Sequence, residues 1–177
     1  MEERLGGNAR YNGYGDGPKF VCGVDYLRSV YSQAGNDSKS SSINSKVWHE
    51  RQQLQYSRCL VYSVGSNNDI AFERAVQRGV GCEVHTFDPT LGNTPFAGDE
   101  FATFHPWGLG VDGKMMKVGG EKRRGNGVGG VSTYRAYSLH HILSKLGHLQ
   151  RKIDIFKIDC EGCEYDTLPE IFQEVID

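Results

Sequence analysis

The chain has 177 residues, six histidines and a formal net charge of -2 at pH 7. This length is typical of one domain with its own core, and the small charge gives no general attraction to nucleic acid or to an anionic membrane. The longest apolar runs have strand length, well short of the roughly 20 residues of a membrane helix. The amino terminus lacks an apolar signal core, so the default expectation is a cytoplasmic protein.

The first part of the chain differs in composition from the rest. Residues 1–50 are rich in Gly, Asn and Ser and are predicted to form a lead-in segment, ahead of an α/β domain at residues 51–177. Within the lead-in, residues 18–27 have the pattern of a strand. Residues 35–46 have the composition of a mobile surface loop.

Strand and helix patterns alternate regularly from about Cys59 onward. Strands are predicted at residues 60–64, 82–87, 100–105 and 153–158. A first helix is predicted to be capped by Asn67 or Asn68 and to stop at Gly79. A second is predicted between the cap Ser138 and Gly147.

A third helix carries the apolar stripe of residues 168–176, with Pro169 tolerated in its first turn. This alternation predicts a doubly wound α/β fold with a mostly parallel sheet and right-handed crossovers. Because the sequence stops after this helix, the sheet is expected to be truncated after its fourth core strand. Its open edge would then allow self-association.

Three of the predicted strands end in a glycine or an acidic residue. Gly65 follows the first strand, Asp88 the second and Asp159 the fourth. Ligands of open α/β sheets bind beyond the carboxyl ends of the strands, so these residues describe one crevice. Gly65 permits a sharp turn at a helix amino end, and Asp88 has the offset of an acid that meets ribose hydroxyls. The pattern predicts a nucleoside site.

The glycine pattern discriminates between nucleoside cofactors. Asn67 and Ile70 stand where the dinucleotide fingerprint G-x-G-x-x-G has its second and third glycines. A nucleoside without phosphates tolerates these side chains, whereas a pyrophosphate needs bare backbone. The pattern therefore favours S-adenosylmethionine over NAD, and an NAD-linked oxidoreductase is the less favoured alternative.

An acidic cluster follows the fourth strand, at Asp159, Glu161 and Glu164. Carboxylates at this position could orient a methionine amino group, attract a sulfonium, act as a general base or hold a metal. The alternative is that they cap the next helix. Asp159 and Glu161 are the predicted catalytic residues, and no metal site is predicted.

The cysteines offer a redox or metal-ligand spacing, Cys160-Glu-Gly-Cys163. A zinc site would need two further ligands, and no second pair with this spacing exists. Five cysteines are an odd number, which argues against a fully paired disulfide framework. The expected role of Cys160 and Cys163 is that of small buried thiols.

Three further features are ambiguous in the sequence. His105 is better placed than the other histidines, although a structural role is the commoner one. Trp107 either walls an adenine ring or fills the core. Residues 114–130 form a basic, glycine-rich stretch that is either a lid over an acidic substrate or a solvated insertion.

At these residues the chain resembles the FkbM-like methyltransferases and, within them, the methyltransferase-like protein 24 group. The resemblance runs from about Asp16 to the carboxyl end. Four motifs carry it: Asp16-Gly-Pro-Lys-Phe-Val-Cys22, Val61-Tyr-Ser-Val-Gly65, Glu83-Val-His-Thr-Phe-Asp-Pro89, and Lys157-Ile-Asp-Cys-Glu-Gly162 with Glu164. It implies a class I S-adenosylmethionine fold, with Gly65 and Asp88 at the cofactor and Asp159 and Glu161 at the transfer site.

Two positions depart from the class I pattern. Ser63 stands where an acid is usual, and Asn67 where a second glycine is usual. These departures keep a second function open, that of a catalytically inactive binding or interaction module. It would bind the cofactor without methylating an acceptor.

The combined prediction is methyl transfer from S-adenosylmethionine to a small-molecule or glycan-like acceptor, through a hydroxyl oxygen. Such a reaction depends chiefly on orientation, with Asp159 or Glu161 as the base. No nucleic-acid or membrane partner is predicted. The predicted cofactor contacts are Ser63, Gly65, Asn67, Asp69, Asp88, Trp107 and Asp159.

Overall fold

The computed structural model describes residues 2–5, 19–34, 58–91, 101–118, 132–160 and 162–176. The strands are β1 Glu2–Leu5, β2 Lys19–Cys22, β3 Leu60–Val64, β4 Glu83–Phe87, β5 Thr103–His105, β6 Gly108–Leu109, β7 Met115–Val118, β8 Ser132–Tyr137 and β9 Ile155–Ile158. The helices are α1 Val24–Ala34, α2 Ala71–Val80, α3 Leu139–Leu146 and α4 Cys163–Ile176.

The central sheet has four strands in the order β5-β4-β3-β9, and every neighbouring pair is parallel. Two smaller sheets flank it: β1 pairs antiparallel with β2, and β8 lies between β6 and β7. Among the described residues β9 has one strand neighbour, β3. The self-association expected at such an edge stays a prediction.

Apolar side chains alternate between the two faces of β3, which is buried along its whole length. Val61 belongs to a cluster with Val24 of α1 and Val76 of α2. Tyr62 belongs to a second cluster, which includes Ile142 of α3. Helices therefore cover both faces of the parallel sheet, and the predicted α/β class is confirmed.

The strand predictions are confirmed most closely at β3, and the other three core strands are one to three residues shorter at their amino ends. The lead-in prediction is wrong in part. Residues 19–22 form β2, but Gly23 then turns the chain with φ +73°, and α1 follows directly. The predicted mobile loop, residues 35–46, lies outside the described residues.

The boundaries of α2 differ from the prediction at both ends. Asn67 and Asn68 have positive φ angles of 45° and 62° and do not cap the helix. Instead, the Asp69 carboxylate accepts a hydrogen bond from the Ala71 amide at 3.0 Å. The helix ends at a left-handed Gly81 rather than at Gly79, because its last turn continues to Val80.

The α3 prediction is confirmed in detail, whereas the α4 prediction needs correction. Ser138 Oγ accepts a hydrogen bond from the His141 amide at 3.1 Å, and a left-handed Gly147 closes the carboxyl end of α3. α4 begins at Cys163, so Pro169 lies in the second turn rather than the first. Pro169 has no amide hydrogen to donate to the carbonyl of Tyr165, four residues earlier, and Tyr165 is 87% exposed.

Four of the cysteines are paired, as Cys59–Cys82 and Cys160–Cys163, and Cys22 is free and exposed. The interpretation of Cys160 and Cys163 as free thiols is therefore wrong. Structural disulfides are typical of oxidising compartments, and the cytoplasmic location stays a prediction. Among the described residues, no helix is both long and apolar enough to cross a membrane.

The Cys59–Cys82 disulfide joins the residues that precede β3 and β4, and its Cα atoms lie 4.7 Å apart. It closes a loop across 23 positions, so its loss should release substantial chain entropy on unfolding. We expect Cys59→Ala with Cys82→Ala to lower the free energy of unfolding by about 2 to 4 kcal/mol in urea titrations. Cys22→Ala is the matched control and should have little effect. Equal stability of the double variant and the wild type would contradict a structural role for this disulfide.

Candidate functional site

The ends of the central strands lie side by side at one edge of the sheet. The backbone amides of Asp159, Gly65 and Asp88 each donate to a carbonyl of the neighbouring strand's end, at 2.9, 2.9 and 3.1 Å. These bonds continue the sheet ladder by one step beyond the strands. The structure therefore brings the three predicted crevice residues into one row.

Gly65 forms a turn that only glycine fits. Its φ is +78°, and a Cβ atom added to it would lie 1.8 Å from the backbone carbonyl oxygen of Asp159. The Lys157 ammonium donates a hydrogen bond to the Gly65 carbonyl oxygen. The turn after β3 is thus packed directly against Asp159, the residue that follows β9.

Asp88 lies beneath this turn and is 4% exposed. Its Oδ2 accepts hydrogen bonds from the Ser66 amide and hydroxyl and from the Asn67 amide, at 3.0, 3.1 and 2.9 Å. Its Oδ1 accepts from the amide and hydroxyl of Thr90, at 3.0 and 2.6 Å. Burial alone would raise the pKa of Asp88, but these hydrogen bonds outweigh it and hold the pKa below its ordinary value.

Ser63 points into the core rather than toward the crevice. It is 0% exposed, and its hydroxyl donates to Glu73 Oε1 at 2.5 Å. Burial raises the pKa of Glu73, whose Oε2 has no hydrogen-bond partner. The predicted contact of Ser63 with a cofactor stays a prediction, and its hydroxyl is engaged by Glu73. Sequence reasoning missed Glu73, although it lies on the buried face of α2 beside Phe72.

Asp159 forms an ion pair with a residue of the lead-in segment. Its Oδ2 lies 2.8 Å from the Lys19 ammonium of β2, and each side chain is 33% exposed. Lys19 was missed as a site residue, and its only sequence signal is its place in the lead-in motif. Glu161, the second predicted catalytic residue, lies outside the described residues.

Glu164 organises the loop that follows Asp159. Its Oε1 accepts from the Cys160 amide at 2.8 Å, and its Oε2 accepts from the Gly162 amide at 2.7 Å. Burial opposes the charge, but these amide donors hold the pKa of Glu164 below its ordinary value. The capping alternative therefore describes Glu164. An open cleft of about 690 Å³ lies beside it, lined by Asp159, Gly162, Glu164, Tyr165, Leu168 and Pro169.

A buried polar network runs behind the crevice on the α3 face. Glu83 Oε1 lies 2.9 Å from His85 Nε2, and His85 Nδ1 lies 2.9 Å from His105 Nε2. Arg151 donates to Glu83 Oε2 at 2.7 Å. The hydrogen bond from His85 and the nearby Arg151 lower the pKa of Glu83 to about 2. Ionised Glu83 accepts a hydrogen bond from His85 Nε2, and in that tautomer His85 Nδ1 accepts a hydrogen bond from His105 Nε2.

His148 completes this network from the end of α3. Its Nδ1 lies 2.8 Å from the Tyr62 hydroxyl, and burial lowers the pKa of His148 to about 4. Burial has the same effect on His105, whose pKa is also about 4. Glu83, His85 and His148 have the proximity of a metal site, but the Arg151 guanidinium already supplies a cation there. We therefore assign the network a structural role.

Two further predicted features occupy defined positions. The Trp107 ring lies 4.5 Å from the His105 ring, with the Lys145 ammonium 5.3 Å from the Trp107 centroid. Its role as an adenine wall stays a prediction. The predicted flexible stretch 114–130 begins instead with β7, and Lys114 pairs with Asp166 at 2.6 Å. Residues 119–131 lie outside the described residues.

The buried histidines should make the fold acid-sensitive. Their folded pKa of about 4 lies below the ordinary 6.5, so the stability they contribute is complete above pH 6.5 and is lost as pH falls toward 4. We expect urea titrations to show a loss of about 2 kcal/mol per histidine between pH 7.5 and pH 5. His148→Gln should reduce this slope, whereas the exposed control His140→Gln should leave it unchanged. Identical slopes in all three proteins would contradict this account.

The Gly65 contact gives a sharper stability test. Gly65→Ala adds both a strained φ and a clash with the Asp159 carbonyl, so it should cost about 2 to 4 kcal/mol of unfolding free energy. Gly113→Ala is the matched control, because Gly113 has φ +77° with nothing within 4 Å of an added Cβ. It should cost only about 1 kcal/mol. Equal losses in chemical denaturation would show that the backbone contact does not constrain the turn.

Comparison with known proteins assigns a class to this arrangement. A family model described as Methyltransferase domain matches residues 2–176, and the chain belongs to that family. This confirms the class that the sequence motifs implied.

Among curated proteins, the chain is similar to the probable methyltransferase-like protein 24 of Homo sapiens, at 26% identity over 122 residues. It is also similar to the protein of the same description from Rattus norvegicus, at 28% identity over 123 residues. The alignments cover 69% of this chain but only 30% and 31% of these relatives, so the chain spans less than two thirds of their length. No solved structure matches the chain.

Proposed function

We propose that this domain transfers a methyl group from S-adenosylmethionine to a hydroxyl oxygen of a small-molecule or glycan-like acceptor. One observation carries the proposal. In a chain of the Methyltransferase domain family, the Gly65 turn is fixed between Asp88 and Asp159 at the carboxyl edge of a parallel sheet. This edge is where α/β folds bind nucleosides.

The hydrogen bonds of Asp88 fit a ribose. Two oxygens accept five hydrogen bonds, which leaves no spare acceptor in this conformation. Two of the donors are the hydroxyls of Ser66 and Thr90, which can rotate away. The two hydroxyls of a ribose can take their places while the backbone amides keep the turn in position.

Among the residues that the structure describes, Asp159 is the one best placed to act on the acceptor. Its Oδ2 is engaged by Lys19, so Oδ1 is the atom that would accept a proton from an acceptor hydroxyl. The bound cofactor supplies an electrophilic methyl group on a sulfonium. Lys19 holds the Asp159 carboxylate in one orientation, and orientation is the main contribution such a site makes.

The cleft beside Asp159 supports a polyol acceptor. Carboxylates of Asp159 and Glu164 line it together with Tyr165, whose side chain is 87% exposed. Aromatic faces combined with carboxylate acceptors suit a ring that has both apolar C–H faces and hydroxyl groups. The aromatic and acidic lining thus favours a glycan-like or similar hydroxylated molecule.

A second candidate function is an inactive binding module. The observation that favours it is the ion pair of Asp159 with Lys19, which engages the carboxylate proposed as the base. Such a module would bind S-adenosylhomocysteine and methylate nothing. Radiolabelled methyl transfer to a panel of polyols and glycans, compared with an Asp159→Asn variant, distinguishes the two functions.

Calorimetric titration tests the cofactor site. We expect S-adenosylhomocysteine to bind and NAD to bind more weakly. Asp88→Asn should weaken S-adenosylhomocysteine binding by about 1.5 to 3 kcal/mol, because a charged acceptor is lost, and should also lower the melting temperature. Thr90→Val removes one competing hydroxyl and should leave the affinity unchanged or slightly higher. Wild-type affinity in folded Asp88→Asn would remove Asp88 from the ribose site.

A further inference from the structure

The second disulfide lies inside the loop that carries Asp159. Cys160 follows Asp159 directly, and Cys163 is the first residue of α4. The two cysteines are three positions apart, with their Cα atoms separated by 5.5 Å. Gly162, between them, lines the same cleft as Asp159. The disulfide therefore closes the short connection between β9 and α4 at the rim of the candidate site.

The two disulfides of the chain differ in burial and in place. Cys59 and Cys82 are each 1% exposed and belong to the apolar cluster at the amino ends of the strands. In the second pair, Cys163 is 3% exposed, but Cys160 is only partly buried. Cys160 is the least buried of the four paired cysteines, so it is the one that an incoming thiolate would reach first, whereas Cys59–Cys82 is enclosed by the core.

The position of Cys163 suits it to leave as a thiolate. It begins a helix of 14 residues, and the amino end of a helix stabilises a negative charge. The Glu164 carboxylate lies within 4.8 Å of the Cys163 sulfur, and its negative charge disfavours a thiolate there. Both carboxylate oxygens, however, already accept backbone hydrogen bonds, from Cys160 and Gly162.

The loop that Cys160–Cys163 closes is coupled to the Gly65 turn through the backbone. The carbonyl of Asp159 is the atom that an added Cβ on Gly65 would meet, so these two segments are in direct contact. The Asp159 carboxylate is also joined to Lys19. A change in the connection after Asp159 would therefore be transmitted to the Gly65 turn and to the ion pair.

We propose that Cys160–Cys163 is a reversible thiol–disulfide exchange site whose redox state sets the conformation of the crevice rim. This proposal rests on the proposed function only for the identity of the ligand that the rim holds. The co-reactant is a dithiol, either a small molecule or a protein with a Cys-x-x-Cys pair. Reduction frees the connection between β9 and α4 and loosens the rim.

The exchange is a balanced two-step reaction. A thiolate of the dithiol attacks Cys160 Sγ, a mixed disulfide forms, and Cys163 leaves as a thiolate that takes up a proton. The second thiolate of the dithiol then attacks the dithiol sulfur of the mixed disulfide, and Cys160 leaves as a thiolate that takes up a proton. The dithiol is oxidised to a disulfide, and the protein gains two electrons and two protons.

The first experiment measures the order in which the disulfides open. The Cys22→Ser protein is titrated with dithiothreitol, alkylated and mapped by peptide mass spectrometry. We expect Cys160 and Cys163 to be alkylated at a dithiothreitol concentration about 100-fold lower than that needed for Cys59 and Cys82. Simultaneous opening, or earlier opening of Cys59–Cys82, would overturn the proposal.

The second experiment measures the effect on the rim by hydrogen exchange of the same protein, selectively reduced or oxidised. The amides of Cys160, Gly162 and Ser66 should exchange about 10-fold faster after reduction, while residues 60–64 of β3 stay protected. C160S with C163S should behave like the reduced protein; if this variant does not fold, the comparison within the Cys22→Ser protein decides. Unchanged exchange at the rim would overturn the proposal.

Binding of S-adenosylhomocysteine separates this inference from the proposed function. The oxidised protein should bind it at least about 5-fold more tightly than the selectively reduced protein. Equal binding in both redox states would overturn the control of the rim. Absence of binding in both states, with selective opening and faster rim exchange still observed, would refute the methyltransferase proposal and support the exchange site on its own.

Discussion

The hydrogen bonds between the Asp88 carboxylate and the turn after β3 are the constraint on which the site depends. They place the amides of Ser66 and Asn67 over the end of β4. The same turn is pressed against the Asp159 carbonyl, where no side chain larger than a hydrogen atom fits at Gly65. Three strand ends are thus fixed relative to one another by one buried charge and one glycine. A crevice of this kind is preorganised, which lowers the entropic cost of binding.

The polar groups behind the crevice support the same edge. The Ser63 hydroxyl and Glu73 fill one face beneath the turn, and the histidine network fills the other. Burial disfavours charge on Glu73 and on His105. The interior charges that remain include Asp88 and the Glu83–Arg151 pair, each held by hydrogen bonds. A further ion pair lies at the rim, where Asp159 meets Lys19.

Much of the fold follows from local sequence signals. The apolar run of residues 60–64, the cap Ser138 and the stop Gly147 specify β3 and α3 through short-range rules. The row of Gly65, Asp88 and Asp159 follows from the topology, because the ends of parallel strands must meet at one edge.

The features that sequence reasoning missed depend on contacts between distant segments. Lys19 reaches Asp159 across 140 positions, and no local pattern indicates such a pairing. The hydrogen bond between Ser63 and Glu73 was also missed, since alternation along a fully buried strand does not reveal which face meets Glu73. The Cys59–Cys82 pair did have a signal: Cys59 stands just before one predicted strand and Cys82 begins the next, and the two strands are neighbours in the sheet.

The position of a bound nucleoside tests the central claim most directly. In a crystal structure with S-adenosylhomocysteine, the account predicts both ribose hydroxyls within hydrogen-bond distance of the Asp88 carboxylate. The Ser66 and Thr90 hydroxyls should be rotated away, and the Gly65 turn should be unmoved. A ligand bound elsewhere, or an Asp88 carboxylate that still accepts all five hydrogen bonds with the ligand present, would contradict it.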